Sequence, residues 1–425
     1  MTFSLSLYLT GVVLIIVQLL AAVPWLLVLN WDAIRSSIAA RRQHDRSIHP
    51  RALSNWQAWG LPGQFALIAL AGIIFIPAVL AAGLIQDRES LEITGRLYAS
   101  VLHLQLLADL LVLVFCALLF AWPKGGAVAF AAFREGVRQP MFWLIGGVAL
   151  LLMGVTPFIP YFTFGEDYIV VQELGYDTMM LACAVLGVLA ASMSISEEIE
   201  GKTAITLISK PVSRRQFLLG KFVGIFLVTV LLTGILGWFF QWTLLCKHWY
   251  DRMDPVPTPS AVTSTLDHLH LATPSNDLAR GIGLWVAETL ATLPGLAVGL
   301  CQVMVLLAIA VALATRLPMV ANIVICVVVY FLGHLTPVLA QIAARKEQAD
   351  PTAPAGRLLA FSSQVFDLGL PGLEFFNLGP ALMMDAPLPV MEFLTYIGSV
   401  CLYGVMYTVI ALLFGLVLFE DRDLA

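Results

Sequence analysis

Residue types that could carry chemistry are concentrated in one charged run from Ser194 to Lys221, SISEEIEGKTAITLISKPVSRRQFLLGK. Only 12% of the chain is charged, so this run stands apart from its apolar surroundings. Carboxylates, ammonium groups and guanidinium groups at this density make ionic contacts with water or with a second macromolecule. The run therefore indicates a surface segment between two membrane crossings.

Motifs for catalysis and nucleotide binding are absent from the sequence. It has no G-x-x-x-x-G-K-[ST] phosphate loop, so ATP, if it drives this protein, binds to another chain. It also lacks H-E-x-x-H, G-x-S-x-G and C-x-x-C. The run 267–270, Asp-His-Leu-His, could hold a metal, but no second ligand cluster accompanies it. Ionisable groups inside apolar stretches are functional candidates by default, and here they are His103, Asp109 and His334.

The charged run is predicted to form a small ordered knob rather than a loose tether. Gly201 can end the helix that leads into the run. Residues 203–208 are then long enough for a helix of roughly two turns. Lys210-Pro211 stops this helix, because the residue before a proline avoids the α region. Ser213, followed by a glutamine three residues later, predicts a capping box that starts the next helix.

Composition and length place the chain in one class. Of its 425 residues 60% are hydrophobic, and apolar runs of about 18 residues or more recur, which is the pattern of bilayer-spanning helices. We predict an all-α polytopic membrane protein that lies in a lipid bilayer and has no nucleic-acid partner. Its six cysteines have neither disulfide-scaffold nor metal-ligand spacing.

The apolar runs predict about nine transmembrane helices, three in an N-terminal segment and six in the block that follows. A stretch from 281 to 315 is too long for one crossing, and Pro294 is predicted to split it, which leaves 285–293 as an interfacial helix. The predicted spans are 5–29, 61–84, 100–122, 141–162, 177–193, 217–245, 294–314, 319–343 and 390–419.

The segments between the spans are predicted to differ in character. Residues 123–140 are expected to form an amphipathic helix in the headgroup plane, with Phe130, Phe133 and Val137 near one face. The remaining connections are predicted as loops. The short ones are 86–96 and 163–173, and the long polar ones are the outer loops 246–284 and 344–389.

The distribution of basic residues predicts an orientation. With the charged run in the cytoplasm, 15 Lys and Arg residues fall inside and 8 outside, which together make up the 23 in the chain. The positive-inside rule favours this arrangement. We therefore expect a multi-pass protein of the cell (inner) membrane, with the N-terminus outside and the C-terminus in the cytoplasm.

The charged run contains three consecutive motifs that resemble those of a known family. Glu-Glu-x-Glu-Gly-Lys-Thr, then Ser-Lys-Pro-Val-Ser-Arg-Arg, then Leu-Leu-Gly-Lys is similar to the first cytoplasmic loop of type-2 ATP-binding-cassette (ABC) permeases. The resemblance is specific over 194–224 and extends more loosely from about Ala127 to the C-terminus. It implies a six-span permease domain, 127–425, with a coupling loop at 194–221, preceded by a three-span segment, 1–126, of unknown role.

The resemblance also implies a mechanism and partners. In this family the loop carries a coupling helix that docks on a separate ABC ATPase subunit, and a second permease subunit completes a homodimer or heterodimer. ATP and Mg are then expected on the ATPase, with no cofactor on this chain, which would be a non-enzymatic subunit of an exporter. The coupling residues implied are Glu197, Glu198, Glu200, Gly201, Lys202, Thr203, Ile205, Leu207, Ile208, Lys210, Pro211, Ser213, Arg214 and Arg215.

Other functions remain open at the level of sequence. The chain could be a non-transport scaffold or assembly partner in a membrane complex, for which the N-terminal spans and large outer loops would provide contacts. It could also be an ion-coupled secondary carrier, although the six-span block offers almost no ionisable group beyond His334. A membrane enzyme is the least favoured reading, because no convergent polar cluster is evident. The motif Gly220-x-x-x-Gly224 could provide a close helix contact, including a dimer contact.

Overall fold

The computed structural model describes residues 5–21, 23–24, 87–159, 161, 167–200, 213–250, 258–349, 361, 369–377 and 390–420. In these ranges every regular element is helical. Short 3-10 helices occur at Thr156–Phe158 and Leu373–Phe376. The α-helices are α1 Leu5–Ala21, α2 Arg88–Ala121, α3 Pro123–Arg138, α4 Pro140–Val155, α5 Asp167–Glu200, α6 Arg214–Tyr250, α7 Ser260–Leu269, α8 Thr273–Ala314, α9 Met319–Ala349 and α10 Val390–Glu420.

Within the described ranges, seven helices are long and apolar enough to cross a membrane. This confirms the predicted all-α polytopic class. The count of nine stays a prediction, because span 5–29 corresponds to the shorter apolar helix α1 and span 61–84 lies outside the described residues. The seven are Arg88–Ala121, Pro140–Phe158, Asp167–Ser196, Arg214–Tyr250, Thr273–Ala314, Met319–Thr336 and Met391–Glu420.

The chain divides into two compact units. The first comprises Met1–Ala117 and Asp254–Ala291, and the second comprises Leu118–Met253 and Thr292–Ala425. The second unit contains both helices that flank the charged run.

In the first unit, α2 begins much earlier than the sequence analysis predicted. The loop expected at 86–96 is wrong, because Asp87 caps a helix that starts at Arg88. The Asp87 carboxylate accepts hydrogen bonds from the backbone N–H and the hydroxyl of Ser90, at 3.3 and 3.1 Å, which satisfies a donor that the helix leaves unpaired. The added turns place Arg96 where its guanidinium donates to Glu288 at 2.7 Å.

Two glycines allow α2 and the start of α8 to pack against each other in the first unit. A Cβ atom at Gly95 would collide with the carbonyl oxygen of Leu278, and one at Gly281 with that of Glu92. Small residues at such a crossing let two helix backbones approach closely. The outer loop predicted at 246–284 is therefore wrong in part, since it contains α7 and the first turns of α8.

Pro294 does not split the long apolar stretch. Helix α8 runs without interruption from Thr273 to Ala314, with Pro294 inside it, so the predicted interfacial helix 285–293 is wrong. Membrane helices tolerate an internal proline where neighbouring side chains satisfy the disturbed backbone. The carbonyl that Pro294 leaves without its helical donor is that of Leu290, four residues earlier. Two residues before the proline, the Tyr176 hydroxyl of α5 donates to the carbonyl of Thr292 at 3.3 Å and ties this part of α8 to α5. A Cβ at Gly295 would lie 2.6 Å from the Tyr176 ring, so this glycine makes room for it.

Helix α5 begins at Asp167, ten residues before the predicted start, so the loop expected at 163–173 is helical from Asp167 onward. The Asp167 carboxylate lies 3.7 Å from the ammonium of Lys247, a lysine of α6 that is 1% exposed. The same ammonium lies 5.5 Å from the centre of the Tyr161 ring. Burial raises the pKa of the Tyr161 hydroxyl, and the positive charge of Lys247 opposes that rise.

The apolar core of the second unit comprises two clusters of buried residues, one from α4, α5, α6, α8, α9 and α10 and one from the same helices without α4. The segment around Leu373–Phe376, which the sequence analysis placed in the outer loop 344–389, packs into this core. Leu373 is 0% exposed and Phe376 is 4% exposed. Burial of these two side chains fixes a short piece of chain against α9 and α10 and makes it part of the bundle.

Candidate functional site

The candidate site lies where α5 ends and α6 begins, on either side of residues 201–212, the central part of the coupling loop, which we call the coupling segment. Helix α5 ends at Glu200 and α6 starts at Arg214, and Glu197 and Glu200 occupy the last turn of α5. The predicted coupling residues between these helices lie outside the described residues, so their predicted short helix stays a prediction. They are Gly201, Lys202, Thr203, Ile205, Leu207, Ile208, Lys210 and Pro211.

The start of α6 has the capping box that the sequence predicts. The Ser213 hydroxyl accepts a hydrogen bond from the Gln216 backbone N–H at 3.2 Å. In return the Gln216 side chain accepts one from the Ser213 backbone N–H at 3.1 Å. This reciprocal pair satisfies two backbone donors that have no intrahelical partner, and it fixes the residue at which the chain re-enters helical structure.

A buried lysine ties together the two helices that flank the coupling segment. Lys221 is 4% exposed, and its ammonium donates to Glu198 of α5 at 2.7 Å and to Glu135 of α3 at 3.1 Å. It also donates to the hydroxyl of Ser194 at 2.7 Å. Ser194 in turn donates to Glu135 at 3.2 Å, so four side chains from three helices form one network.

The chemistry of this network makes it sensitive to changes in helix position. A buried ammonium is stabilised only while its partners hold their geometry, because an unpaired buried charge is strongly unfavourable. Lys221 lies about two turns inside α6, and Ser194 lies one turn before Glu198 on α5. A displacement of either flank of the coupling segment must therefore be followed by the other flank and by α3, or it must break this network.

Helix α3 covers the start of α6 through a face of small residues. A Cβ at Gly224 would collide with the Ala129 carbonyl oxygen, and one at Gly220 would lie 2.9 Å from the Gly125 carbonyl oxygen. The predicted amphipathic helix is therefore present, but small residues such as Ala129 and Ala132 form its buried face, while Phe130 is 39% exposed. The G-x-x-x-G motif makes this contact within the chain, not the dimer contact that the sequence offered.

Two arginines hold the end of α10 at the same end of the bundle. The Arg214 guanidinium donates to the carbonyl oxygens of Phe419 and Glu420 at 3.0 and 2.8 Å. Arg316 donates to that of Leu418 at 2.8 Å. These are terminal carbonyls of a helix, where positive charge is favourable. Arg215, by contrast, has a side chain that is 73% exposed and only a 4.0 Å contact with Glu420.

The structure divides the predicted coupling residues into groups with different roles. Glu198 and Arg214 make intramolecular contacts, and Ser213 caps a helix, whereas Arg215 points into solvent. Sequence reasoning did not identify Lys221, Glu135 and Ser194 as one network. Lys221 carried a usable signal, because a lysine two turns inside an apolar helix must pair with a group on another helix.

Comparison with known proteins identifies the family of the chain. The family described as ABC-2 family transporter protein matches residues 127–424, a range that begins in α3 and includes the network and both flanks of the coupling segment. No match was found among curated proteins. Because the family match covers well over half of the sequence, the chain belongs to the ABC-2 family of transporter permeases, which are multi-pass membrane subunits.

Proposed function

We propose that this chain is the membrane subunit of an ATP-driven exporter and that it receives mechanical work through the segment 194–221. Membership of the permease family supports the transport role. The observation that carries the coupling role is the network around Lys221, because it joins both flanks of the segment to α3. A push on the segment would then move three helices together.

The proposed mechanism is a lever. ATP binding closes a dimer of ATPase subunits, each of which grips the segment around residues 203–208. Charged residues such as Lys202, Lys210 and Arg215 supply the rim of the contact, while Ile205, Leu207 and Ile208 supply its buried part. The displacement passes through α5 and α6 and shifts two permease subunits between inward-facing and outward-facing packings.

Nucleotide chemistry belongs to the partner in this proposal. ATP and Mg bind to the ATPase subunit, and the present chain contributes no catalytic residue. The second permease subunit is either another copy of this chain or a related one. The positive-inside distribution of basic residues favours a cytoplasmic segment 194–221, with the N-terminus outside and the C-terminus in the cytoplasm of a cell (inner) membrane.

The experiment that tests the proposal is affinity purification of the full chain from native membranes, followed by an assay of ATP hydrolysis in the eluate. We expect an ATPase subunit to co-purify with the wild-type chain. Gly201→Pro and Ile205→Asp should each abolish co-purified hydrolysis without lowering the yield of folded chain, because they disrupt the docked segment and not the bundle. Leu269→Asp is a matched control, since Leu269 is an exposed residue at the end of α7.

A different outcome would exclude the mechanism. If the Ile205→Asp and Gly201→Pro chains retain ATP hydrolysis equal to that of wild type, the segment does not couple the two subunits. If the purified chain moves solute with no hydrolysing companion, the energy source is a different one.

A further inference from the structure

A cavity in the second unit has the chemistry of a binding site. Its volume is about 380 Å³, within the range of small-ligand pockets. It is walled by α5, α8, α9 and the segment after Leu373, and the coupling segment lies at the far end of α5, roughly 35 Å along that helix from Asp177. The polar side chains of its wall are Glu173, Asp177, Gln302, Tyr330, His334 and Asn377.

The wall has more acidic than basic side chains. Glu173 and Asp177 are four residues apart on α5, so their carboxylates lie on the same helix face. Among the described residues, the wall contains neither lysine nor arginine. The basic side chain of the wall is the imidazole of His334, which interacts electrostatically with Asp177.

Hydrogen bonds fix the orientation of His334. Its Nδ1 lies 2.8 Å from the Tyr330 carbonyl oxygen, and its Nε2 lies 3.0 Å from the side-chain nitrogen of Gln302. Gln302 is 7% exposed and is held by this bond. His334 is thus held at the wall, which it lines together with the two carboxylates.

Aromatic surface completes the site. Tyr176, Tyr330 and Phe376 contribute to the wall, and Tyr176 is fixed by its hydrogen bond to the Thr292 carbonyl. Aromatic faces next to carboxylates favour organic cations, which gain from ring electrostatics as well as from charge pairing. A metal ion fits less well, because no group of three or more His, Cys, Asp or Glu side chains in the described ranges could hold one.

We propose that this cavity binds an organic cation, either a free solute or the cationic headgroup of a lipid, through Glu173, Asp177 and the surrounding aromatic rings. As a transport site it would rest on the proposed exporter function and would define the substrate class. Binding itself does not need the ATPase. Loss of ATPase association with retained cation binding would therefore overturn the proposed function and leave the site standing.

The test is equilibrium dialysis of the purified full chain in maltoside micelles with radiolabelled tetraphenylphosphonium. We expect saturable binding that an excess of triphenylphosphine oxide, an uncharged compound with similar aryl groups, does not displace. Asp177→Asn should weaken binding at least about tenfold, a change that corresponds to one neutralised contact of about 1.4 kcal/mol, and Glu173→Gln should act in the same direction. Glu392→Gln is the matched control, since Glu392 is an exposed residue in the first turn of α10.

Added short-chain phosphatidylcholine distinguishes the two sources of the cation. Competition with the probe assigns the site to a lipid headgroup, and failure to compete assigns it to a free solute. The proposal is overturned if the folded Asp177→Asn and Glu173→Gln chains, checked by gel filtration, bind the phosphonium as tightly as wild type. It is overturned equally if triphenylphosphine oxide displaces the cation as well as unlabelled tetraphenylphosphonium does, because binding would then be apolar only.

Discussion

The ammonium of Lys221 lies 2.7 Å from a carboxylate oxygen of Glu198, and these two residues stand on opposite sides of the coupling segment. One belongs to the last turns of α5 and the other to the third turn of α6. The ion pair therefore closes the base of the segment, so that a protein gripping the segment pulls on two helices that are already joined.

Replacing Lys221 should weaken the contact between α5 and α6 on either side of the coupling segment. Lys221→Met keeps the length of the side chain but leaves Glu198 and Glu135 without their cation. We expect a loss of about 2 kcal/mol in stability, less than for a completely dry ion pair because the Glu135 side chain is 42% exposed. The measurement is the midpoint of thermal unfolding in detergent, which should fall by several degrees.

The control for this prediction is Lys124→Met, which removes an exposed lysine at the start of α3 and should leave the midpoint unchanged. The triple variant Lys221→Met, Glu135→Gln, Glu198→Gln should recover part of the loss, since no buried charge is then unpaired. An unaltered midpoint for Lys221→Met alone would show that the network does not stabilise the bundle.

The close contact between α3 and α6 should not tolerate a larger side chain. Gly224→Leu would drive its side chain into the backbone of α3 at Ala129, and overpacking of this kind typically destabilises by about 1–3 kcal/mol. Gly147→Leu makes the same change on α4, where an added Cβ meets nothing within 4 Å. Fluorescence-detected gel filtration should show a folded peak for Gly147→Leu and a reduced or aggregated one for Gly224→Leu. Equal peaks would contradict the packing.

The neighbouring residues Arg214 and Arg215 are expected to have different roles. Arg214 should stabilise the end of α10, and Arg215 should contribute to docking of the ATPase. Arg214→Gln removes the donor to the last carbonyls of α10 and should lower stability by about 1 kcal/mol. Arg215→Gln alters a side chain that is 73% exposed and should leave stability unchanged. If Arg215 contributes to the rim of the ATPase contact, its loss should weaken association, most clearly at low salt, where the ionic contact of the wild-type chain is least screened.

Each result can be read independently by unfolding and by co-purification of the ATPase. A fall in the unfolding midpoint for Arg215→Gln, or none for Arg214→Gln, would reverse the roles assigned to the two residues.

The predicted orientation can be tested by labelling. In a chain whose six native cysteines are replaced, Lys210→Cys and Arg357→Cys should react from opposite sides of sealed vesicles, because the basic-residue distribution places Lys210 in the cytoplasm and Arg357 outside. Membrane-impermeant maleimide and protection by a permeant reagent give the measurement. Labelling of Lys210→Cys from the outside would refute the orientation and, with it, access of a cytoplasmic ATPase to the segment.

The sequence alone predicts where the candidate site lies, but it does not predict the side-chain network and the helix contact that hold the site together. The capping box at Ser213 depends on residues three apart and was readable, because its hydrogen bonds are local. The Lys221 network depends on Glu135, 86 residues away, and no local pattern specifies such a partner. The small-residue face of α3 was missed because apolar bulk, and not close backbone approach, was taken as the sign of the packed face.

The boundaries of the helices explain most of the remaining errors. Because α5 was predicted to start at Asp177 and not at Asp167, Glu173 was assigned to a loop and Asp177 to a span edge. The sequence analysis therefore did not predict the cavity that these two residues line together with His334. Pro294 was taken as a break because its local effect is known, whereas the contact of Tyr176 with this part of α8 comes from another helix.

The measurement that tests the central claim most directly is photo-cross-linking from position 205. Ile205 is replaced by p-benzoylphenylalanine in the full chain, native membranes are irradiated, and the cross-linked partner is identified by mass spectrometry. The account predicts a cross-link to an ATPase that carries a phosphate loop, whereas the same replacement at Leu269 should give none. Efficient cross-links from position 205 that reach only lipid or this chain itself would contradict the claim that work enters through this segment.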